Sequence, residues 1–379
     1  MNYSNMPKCL ISLVAGTRPN IVKLAPLVAV LGKQGWCQVE VVYIAQHTSP
    51  SLSDEIFEDL HVSRESVRVC PLDGDNYGER LGRIISIYSE YIAERRPHLI
   101  VCFGDVDVTL GSALAAKRSG LPLAHIEAGL RSGDMSMPEE MNRLLVDSIS
   151  DLYFAPSEDA YNNLIFGEAT DPSRVIYAGN IMIDSLVATL RPELQQRVLT
   201  EYGVIRDEFA IATFHRPSNV DSRESLEYLV GLLARLSKRC KVVLPLHPRT
   251  RASLIRHGFL ERLSTASGVA VVEATRYKDF VNLLANARLV ITDSGGIQEE
   301  ATYLGVPCLT YRNNTERPVT VRYGTNQLVN RYDIDDTLEW VLRSERRKPV
   351  AIPLWDGRTA YRIADTLRQW WDSEVTTGH

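Results

Sequence analysis

The sequence predicts an α/β protein built from two doubly wound parallel sheets. Short apolar runs alternate with amphipathic helical stretches along nearly the whole chain, which is typical of parallel strands covered by helices on both faces. The pattern begins again after VIYAGN, so two series of strands are present. A length of 379 residues agrees with two domains, since one domain holds roughly 150 residues.

The predicted elements follow this alternation in order. The first series of strands reads CLISLVAG, QVEVVYIA, HLIVCFG, LPLAHIE and DLYFAPS, and the second reads EFAIATFH, KVVLPLH, VAVVEA, RLVITDS and PCLTYR. Helices between them include IVKLAPLVAVLGKQ and ERLGRIISIYSEYIAERR, whose apolar residues recur at helical spacing. We place the domain boundary near Gly179, so that residues 1–179 form the first domain and residues 180–357 the second. A last amphipathic helix, from about Arg358 to Asp372, has no strand after it.

Composition and charge argue against several classes of function. The chain is 45% hydrophobic and 23% charged, with a formal net charge of -5. A mildly acidic chain without a block of basic residues is not expected to bind nucleic acid. Its six cysteines are scattered, which indicates buried thiols in a reducing compartment. The first residues show neither a charged leader nor an apolar stretch of membrane-spanning length, so we expect no membrane partner and a cytoplasmic location.

Two searches for cofactor motifs give negative results. No CxxC pair and no HExxH motif occurs, so a structural or hydrolytic zinc site has no support. No GxGxxG motif follows a predicted strand, which disfavours an NAD or FAD dehydrogenase. We therefore expect neither a metal nor a cofactor.

Polar motifs stand at the carboxyl ends of the predicted strands. They are GTRPN, GDVD, IEAG, FHRPSN, LHPRT and DSGG. In open parallel sheets, ligands bind beyond the carboxyl ends of the strands. We expect the two sheets to bring these motifs to one cleft between the domains.

The segment TDSGGIQEEATYLGVPCLTYRNNTER predicts an anion site. Ser294, Gly295 and Gly296 follow a short apolar strand and precede a helix, whose N–H groups and dipole favour a phosphate. Glu300 lies one turn into that helix, where it could accept hydrogen bonds from ribose hydroxyls, and Arg317 follows the next strand with a fork suited to phosphate. Together they favour a nucleoside diphosphate. A glycine-rich helix start with an ordinary surface ion pair is the competing interpretation.

Three acids could provide proton transfer. Asp105 and Glu127 end strands predicted to be neighbours, and Glu139 follows Pro138 at a predicted helix start. Carboxylates placed near one another and away from water have raised pKa values, which suits general acid and base catalysis. Capping is the competing interpretation, with Asp105 as N-cap of a helix beginning at Val106 and with Glu139 and Glu140 capping a helix and complementing its dipole.

Basic residues stand at three other strand ends. His215 and Arg216 follow EFAIATF, and His247 repeats the arrangement on the next strand. A histidine that only satisfies a backbone carbonyl is the competing interpretation. Arg18 and Lys23 flank the first helix start, where a cation is mildly unfavourable unless it meets an anion. His125, directly before Ile126, points to the opposite face of its strand and could belong to the core.

Taken in order, these motifs resemble the non-hydrolysing UDP-N-acetylglucosamine 2-epimerases. The resemblance runs from about Gly16 to Val329 and is carried by GTRPNIVKLAPL, AQH, GDVDVTL, HIEAGLRSGDMSMPEEMNR, GNIMID, TFHRPSNV, LHPRT, TDSGGIQEEA, GVPCLTYRNNTERP and YGTNQLV. It implies the GT-B architecture, in which two Rossmann-like domains flank a cleft and a C-terminal helix, here 358–379, returns to the first domain. It also implies a homodimer.

The resemblance implies reversible inversion at carbon 2 of the sugar by elimination and re-addition of UDP. The residues that match the family's catalytic groups are Asp105, Glu127, Glu139 and His215. Which acid serves which sugar face stays open. We expect the UDP-sugar to be bound by Arg18, Lys23, Arg143, Arg216, Asn219, His247, Ser294, Gly295, Gly296, Glu300 and Arg317.

Three departures from the bacterial pattern limit what carries over. Asn20 stands where many bacterial members have Glu, and we expect little effect of this change. HRPSN stands in place of HRREN, a variant associated with another branch of the family. The segments Gln46-His47-Thr48-Ser49-Pro50 and DGDNYGERLG replace sequences that help to hold a second, activating substrate molecule, so activation by substrate is not implied.

Four other functions compete with this one. Related enzymes act on UDP-2,3-diacetamido-2,3-dideoxyglucuronic acid, whose acidic sugar needs a further cation that Arg143 or Arg249 could supply. A hydrolysing 2-epimerase would share most of the site. A GT-B glycosyltransferase would not require three acids on strand ends of the first domain. A nucleotide-sugar sensor would be expected to lack a catalytic acid, and the presence of all four catalytic matches favours an enzyme.

Overall fold

A computed structural model describes residues 8–45, 50–74, 76–168, 170–345 and 351–377. The chain forms two compact units, unit 1 (Met1–Val187 and Pro353–His379) and unit 2 (Ala188–Ile352). Unit 1 extends beyond Gly179 because the helix that follows this glycine is bonded into it, with Ser185 Oγ donating to the Val22 carbonyl. Each unit is described by itself below.

Unit 1 contains a seven-stranded parallel sheet in the order β3-β2-β1-β4-β5-β6-β7. Its strands are β1 (Cys9–Ala15), β2 (Cys37–Ala45), β3 (Val67–Pro71), β4 (Leu99–Phe103), β5 (Leu123–Ile126), β6 (Leu152–Ala155) and β7 (Val175–Tyr177). Its helices are α1 (Arg18–Leu31), α2 (Pro50–Asp59), α3 (Tyr77–Arg95), α4 (Asp107–Arg118), α5 (Pro138–Ile149), α6 (Glu158–Asn162) and α7 (Ile181–Thr189), whose last two residues fall in unit 2. All five residues of β4 are buried, as expected for a central strand.

Unit 2 contains a six-stranded parallel sheet in the order β10-β9-β8-β11-β12-β13. Its strands are β8 (Phe209–Thr213), β9 (Lys241–Pro245), β10 (Val269–Val272), β11 (Leu289–Thr292), β12 (Cys308–Tyr311) and β13 (Asn326–Val329). Its helices are α8 (Pro192–Tyr202), α9 (Pro217–Val220), α10 (Arg223–Leu236), α11 (Pro248–His257), α12 (Leu260–Ser264), α13 (Tyr277–Leu284), α14 (Gly295–Leu304), α15 (Pro318–Arg322) and α16 (Ile334–Arg343). The predicted architecture of two parallel sheets with interleaved helices is thus confirmed.

The last helix, α17 (Thr359–Thr377), returns to unit 1, as the resemblance implies. It packs against α1, and its first turn is held by Asp184, which accepts hydrogen bonds from Thr359 N at 3.2 Å and Ala360 N at 2.8 Å. Within the described residues, no helix is long and apolar enough to cross a membrane.

The strand order reverses once in each sheet, and this reversal positions the candidate site. In unit 1, β1 pairs with both β2 and β4, and in unit 2, β8 pairs with both β9 and β11. At such a switch point the connections leave in opposite directions and open a crevice at the carboxyl ends of the strands. The loops that follow β1, β4, β8 and β11 carry most of the predicted site residues.

Candidate active site

Glu127 follows β5 at the carboxyl edge of the unit 1 sheet and forms a buried ion pair with Lys23. Lys23 Nζ donates to Glu127 Oε2, and only 3% of Glu127 is exposed. Gly104, at the end of β4, makes room for this pair. A Cβ at Gly104 would lie 2.9 Å from Lys23 Nζ and 3.2 Å from Glu127 Oε2, and the backbone there has a φ of +64°. Glycine is therefore required at this position.

The backbone of Glu127 is held in an uncommon conformation. Its φ is +69°, a left-handed value that a residue with a side chain rarely adopts. The Phe154 carbonyl at the end of β6 accepts from the N–H groups of Glu127 at 3.2 Å and Ala128 at 3.3 Å. Backbone strain of this kind persists where the surrounding structure enforces it, and it clusters at functional sites.

Asp105 is held by Arg143 of α5. Arg143 is 1% exposed; its Nη1 donates to Asp105 Oδ2, and its Nε and Nη2 donate to Glu140 Oε2 at 3.0 and 2.6 Å. Glu140 also accepts from Ser132 N at 2.9 Å. Burial raises the pKa of Glu140, but the hydrogen bonds from Ser132 and Arg143 outweigh burial and lower that pKa overall. The guanidinium, predicted to bind substrate, is thus directed at two carboxylates and orients Asp105.

The capping interpretation of Asp105 is wrong. Helix α4 begins at Asp107 with Val106 as its N-cap, so Asp105 lies one residue before the cap. Its side chain is about a quarter exposed, which leaves the carboxylate accessible from the sheet edge. Glu139 lies in the first turn of α5 and is exposed. The acids that follow β4 and β5 therefore differ in environment from Glu139.

Arg18 and Asn20 belong to the loop and helix start after β1. Arg18 is the first residue of α1 and is half-buried; burial lowers the pKa of its guanidinium, although the charges of Glu55 and Asp59 oppose this effect. Asn20 accepts from Thr17 N at 3.1 Å and donates through Nδ2 to the Phe103 carbonyl at 3.0 Å. Asn20 thus joins the loop after β1 to the end of β4, and the second of these bonds requires an amide donor.

In unit 2, Asp293 organises the loop that carries His215. Asp293 follows β11, is fully buried, and accepts from His215 Nδ1 at 2.8 Å, His215 N at 3.1 Å, Arg216 N at 2.9 Å and Asn219 Nδ2 at 3.0 Å. Burial raises the pKa of Asp293, but the hydrogen bonds from His215 and Asn219 outweigh burial and lower it. With Nδ1 bonded to this carboxylate, Nε2 is the ring nitrogen left for a ligand, and 38% of the side chain is exposed.

The other basic residues near His215 have protein partners. Arg216 Nε donates to the Asp293 carbonyl at 3.0 Å, so this predicted ligand residue braces the same loop. His247 caps α11 by accepting from Arg249 N at 3.2 Å, and its ring centroid lies 5.3 Å from that of His215. Arg249 itself is paired with Asp221 through bonds of 2.9 and 2.6 Å.

The residues predicted to form a phosphate cradle lie at the start of α14. Ser294 is its N-cap and Gly295 its first residue. A Cβ at Gly295 would lie 2.5 Å from Arg317 Nη1 and 2.7 Å from Glu316 Oε1, so glycine lets the guanidinium lie directly over the helix start. Arg317 Nε lies 3.0 Å from Glu299 Oε1, and Nη1 is paired with Glu316.

Glu316 is shared by two arginines. Its Oε1 pairs with Arg317 and its Oε2 accepts from Arg312 Nη2 at 2.8 Å. Burial raises the pKa of Glu316, but the two guanidinium charges outweigh burial and hold that pKa far below its usual range. These ion pairs hold the Arg317 guanidinium at the N-terminus of α14. A guanidinium next to a helix N-terminus is suited to binding a phosphate group.

Glu300 has an environment unlike that of Glu316. It is buried on α14, where burial raises its pKa to about 8; the adjacent Tyr277 hydroxyl opposes the shift and the charge of Glu299 adds to it. A group that donates hydrogen bonds to this carboxylate, such as a pair of ribose hydroxyls, would favour its ionised form. In the described part of the chain, no cluster of three His, Cys, Asp or Glu side chains could hold a metal ion.

Comparisons with known proteins identify the family. A family model described as UDP-N-acetylglucosamine 2-epimerase matches residues 29–368. The chain belongs to this family. The UDP-N-acetylglucosamine 2-epimerase of Methanocaldococcus jannaschii is 34% identical over 94% of this chain and 98% of its own length. The UDP-2,3-diacetamido-2,3-dideoxy-D-glucuronate 2-epimerase of Pseudomonas aeruginosa is 35% identical over 83% of this chain and 87% of its own length.

A solved structure of a family member agrees with the fold. The crystal structure of the Methanocaldococcus jannaschii UDP-GlcNAc 2-epimerase in complex with UDP-GlcNAc and UDP has a TM-score of 0.87 to this chain, at 32% identity. It covers 95% of this chain and 99% of the crystallised chain. The predicted fold class, with two Rossmann-like domains of the GT-B type, is confirmed.

Sequence reasoning found the groups at the sheet edges but not the residues that hold them. Three of the missed residues are direct neighbours in the chain of residues predicted to bind substrate. They are Asp293, Glu299 and Glu316, and this position in the sequence is the signal that could have identified them. The sequence indicates only a capping role for Glu140, whereas in the structure its carboxylate accepts from Arg143 Nη2 at 2.6 Å. Two segments differ from the bacterial pattern at the place where those enzymes hold a second substrate molecule. Residues 46–49 of the first segment, and Asp75 of the second, DGDNYGERLG, lie outside the described residues.

Proposed function

We propose that this chain interconverts UDP-N-acetylglucosamine and UDP-N-acetylmannosamine by inversion at carbon 2. The observation that carries the proposal is the placement of Asp105 and Glu127 at the ends of neighbouring strands, each against a buried cation, in a member of this family. Carboxylates held in a fixed orientation by buried cations suit transfer of a proton that is not acidic in solution.

The proposed reaction has two steps that are the reverse of each other. In the first, the bond between carbon 1 and the UDP oxygen breaks with its electron pair leaving on UDP, while a base takes the proton from carbon 2. A double bond then joins carbons 1 and 2 in a 2-acetamidoglucal. In the second, the UDP oxygen adds back to carbon 1, and an acid delivers a proton to the opposite face of carbon 2.

The reaction requires groups that transfer protons at carbon 2 and groups that stabilise the departing UDP. We assign proton transfer to Asp105, Glu127 and Glu139, and stabilisation of the departing diphosphate to His215 and Arg317. We also assign to this stabilisation the N–H groups at the start of α14, because unbonded N–H groups and the positive end of a helix dipole favour negative charge. Arg18, half-buried at a helix start, is the further cation that we assign to the diphosphate.

Exchange at carbon 2 tests the proposal directly. The purified chain is incubated with UDP-N-acetylglucosamine in deuterated water, without added metal or NAD, and followed by NMR. We expect deuterium at carbon 2 and the appearance of UDP-N-acetylmannosamine. Release of free N-acetylmannosamine would identify a hydrolysing enzyme instead, and the absence of exchange would reject this substrate.

A 2-epimerase acting on UDP-2,3-diacetamido-2,3-dideoxyglucuronate is the second candidate, favoured by the 35% identity to the Pseudomonas aeruginosa enzyme of that name. The structure bears on its need for a further cation. Arg143 is paired with Asp105 and Glu140, and Arg249 with Asp221, so the two cations predicted for a sugar carboxylate already have acidic partners. This favours the uncharged sugar. The same NMR assay with both substrates, compared by kcat/KM, decides between them.

Assembly and location stay predictions of the sequence. We propose a homodimer, which light scattering combined with size-exclusion chromatography will test. We also propose a cytoplasmic location, which fractionation of the source cells will test.

A further inference from the structure

His125 lies on β5, directly beneath the two loops that carry Asp105 and Glu127. It is fully buried, and both of its ring nitrogens have oxygen partners. Nε2 lies 2.8 Å from the carbonyl of Gly104, the residue before Asp105, and Nδ1 lies 2.6 Å from Asp147 Oδ1. One side chain therefore reaches the main chain of the first loop and a carboxylate of α5.

Asp147 connects the same histidine to the second loop. Its Oδ2 accepts from Gly129 N at 3.0 Å, two residues after Glu127, and from Arg131 Nη2 at 2.5 Å. Burial raises the pKa of Asp147, but the charges and hydrogen bonds of His125 and Arg131 outweigh burial and lower it. The carboxylate is therefore ionised and acts as an acceptor towards every partner.

The two hydrogen bonds of His125 both require a ring N–H. A carbonyl and an ionised carboxylate can only accept, so both ring nitrogens must donate for both bonds to form. A buried ion pair is costly to desolvate, and an apolar side chain could fill a buried strand position more cheaply. His125 is bonded to the Gly104 carbonyl, next to Asp105, and Asp147 is bonded to Gly129 N, two residues after Glu127. These bonds indicate that the pair does more than fill the core.

We propose that His125 and Asp147 form a clamp that fixes the loop of Asp105 against the loop of Glu127. They are positioning residues for the proton transfers, and the inference rests on the proposed function. The main chain of Glu127 is left-handed, which is uncommon for a residue with a side chain, so this loop depends on outside contacts to keep its shape. A displacement of about 1 Å in a reacting group can cost roughly 100-fold in rate.

Two substitutions of His125 each keep one of its two hydrogen bonds and remove the other. In His125→Asn the amide nitrogen takes the place of Nδ1 and keeps the bond to Asp147, but it does not reach the Gly104 carbonyl. In His125→Gln the amide nitrogen takes the place of Nε2 and keeps the bond to Gly104 instead. We expect kcat to fall about 100-fold in His125→Asn, with KM and the UDP dissociation constant within about threefold of wild type.

The matched control is Asp151→Asn. Asp151 bridges the opposite, amino end of β5, where it accepts from Leu123 N at 2.8 Å and pairs with Lys117. It is also a carboxylate that holds a strand, but it lies away from the catalytic loops. We expect its kcat to stay within about twofold of wild type, even if its thermal midpoint falls.

Titration with UDP by calorimetry counts the folded binding sites in each variant. If kcat of His125→Asn per UDP-binding site equals that of wild type, the clamp is only structural and the proposal is wrong. If the wild type itself shows no exchange at carbon 2, the proposed function is wrong, whatever the variants do.

A measurement on the unaltered chain covers the case in which both variants fail to fold. Nitrogen-15 NMR of histidine-labelled wild type should show two N–H groups on His125, both protected from exchange with solvent. A His125 ring with a single N–H would overturn the clamp.

Discussion

The two units use the same sheet geometry with opposite arrangements of charge. At the edge of the unit 1 sheet, the proposed catalytic groups are carboxylates and their buried partners are cations, with Lys23 paired with Glu127 and Arg143 paired with Asp105. In unit 2 the proposed catalytic and ligand-binding groups are basic and their buried partners are carboxylates. Asp293 holds His215, and Glu316 holds Arg317. The buried partner, more than the fold, decides which kind of chemistry each edge can support.

The difference also shows what the buried charges do. Replacing a buried ion pair by apolar residues is often neutral for stability, whereas removing one partner leaves an uncompensated charge. Burial of so many pairs at two sheet edges is therefore better explained by orientation of the proposed catalytic and ligand-binding groups. Substitutions on either side of a pair test this explanation.

Glu127→Gln should have the largest effect. The amide can still contact Lys23, but it can no longer accept a proton, so we expect kcat to fall by about 10³-fold. UDP affinity should stay within about tenfold, because Glu127 is not among the residues that we assign to the diphosphate. Steady-state kinetics and calorimetry measure the two quantities. Turnover within tenfold of wild type would remove Glu127 from the catalytic set.

Asp293→Asn tests whether the buried carboxylate in unit 2 orients His215. Loss of the carboxylate charge weakens the bond to His215 Nδ1 and the bonds to two backbone N–H groups. We expect kcat to fall about 100-fold through misplacement of His215. His215→Ala should abolish turnover, and combining it with Asp293→Asn should add little. Additive losses in the double variant would show that Asp293 does not act through His215.

Gly295→Ala and Arg317→Ala test the phosphate cradle. Arg317→Ala should weaken UDP binding by about 10- to 100-fold, as expected for loss of a charged hydrogen-bond donor. A methyl group at Gly295 would meet the guanidinium at 2.5 Å, so Gly295→Ala should weaken UDP binding through the same residue. The double variant should then bind UDP no more weakly than Arg317→Ala.

The control for the cradle is Gly231→Ala, on α10. A Cβ there meets only Arg235 Nη1, at 3.4 Å, so UDP binding should not change. If Gly295→Ala binds UDP as tightly as this control, the close approach of Arg317 to the helix start is not needed for binding. Calorimetry with UDP measures all four variants.

Glu300 should produce the smallest effect, through the pH dependence of stability. In the folded chain without UDP its pKa is about 8, whereas its ordinary value is near 4.5. The folded state therefore binds one proton more than the unfolded state between these values, and the free energy of unfolding falls as pH rises through this window. Glu300→Gln should lack this decline. We expect its thermal midpoint, relative to wild type, to rise by about 3 °C between pH 5 and 8.5. Parallel curves would contradict the raised pKa.

Much of the fold could be predicted from the sequence because buried parallel strands are continuous apolar runs. The strands that were missed have a physical reason. β3 lies at a sheet edge, with Arg68 and Val69 exposed, and β13 begins with the polar residues Asn326 and Gln327, so neither forms an apolar run. The third missed strand, β7, lies at the other edge of the unit 1 sheet and has only three residues. Edge strands are covered less than central strands and need fewer apolar residues.

The candidate site was predictable to a lesser degree. Predicted site residues such as Asp105 and His215 follow the ends of strands, so they can be recognised from their position after an apolar run in the sequence. Their partners come from distant positions, as with Arg143, which lies 38 residues beyond Asp105, and Asp293, which lies 78 residues beyond His215. Such contacts form only when segments far apart in the chain pack together, and side-chain packing of that kind cannot be deduced from one sequence.

The return of α17 to unit 1 has a consequence for synthesis on the ribosome. Unit 2 is one continuous stretch, so all of its strands and helices have been made before Thr359 is added to the nascent chain. Unit 1 has to wait for α17, and until then part of α1 is uncovered and Asp184 lacks the two N–H groups that it binds. The half of the molecule that is translated first is therefore the last to be completed, and a chaperone that recognises apolar helices would find its target on α1 during that interval.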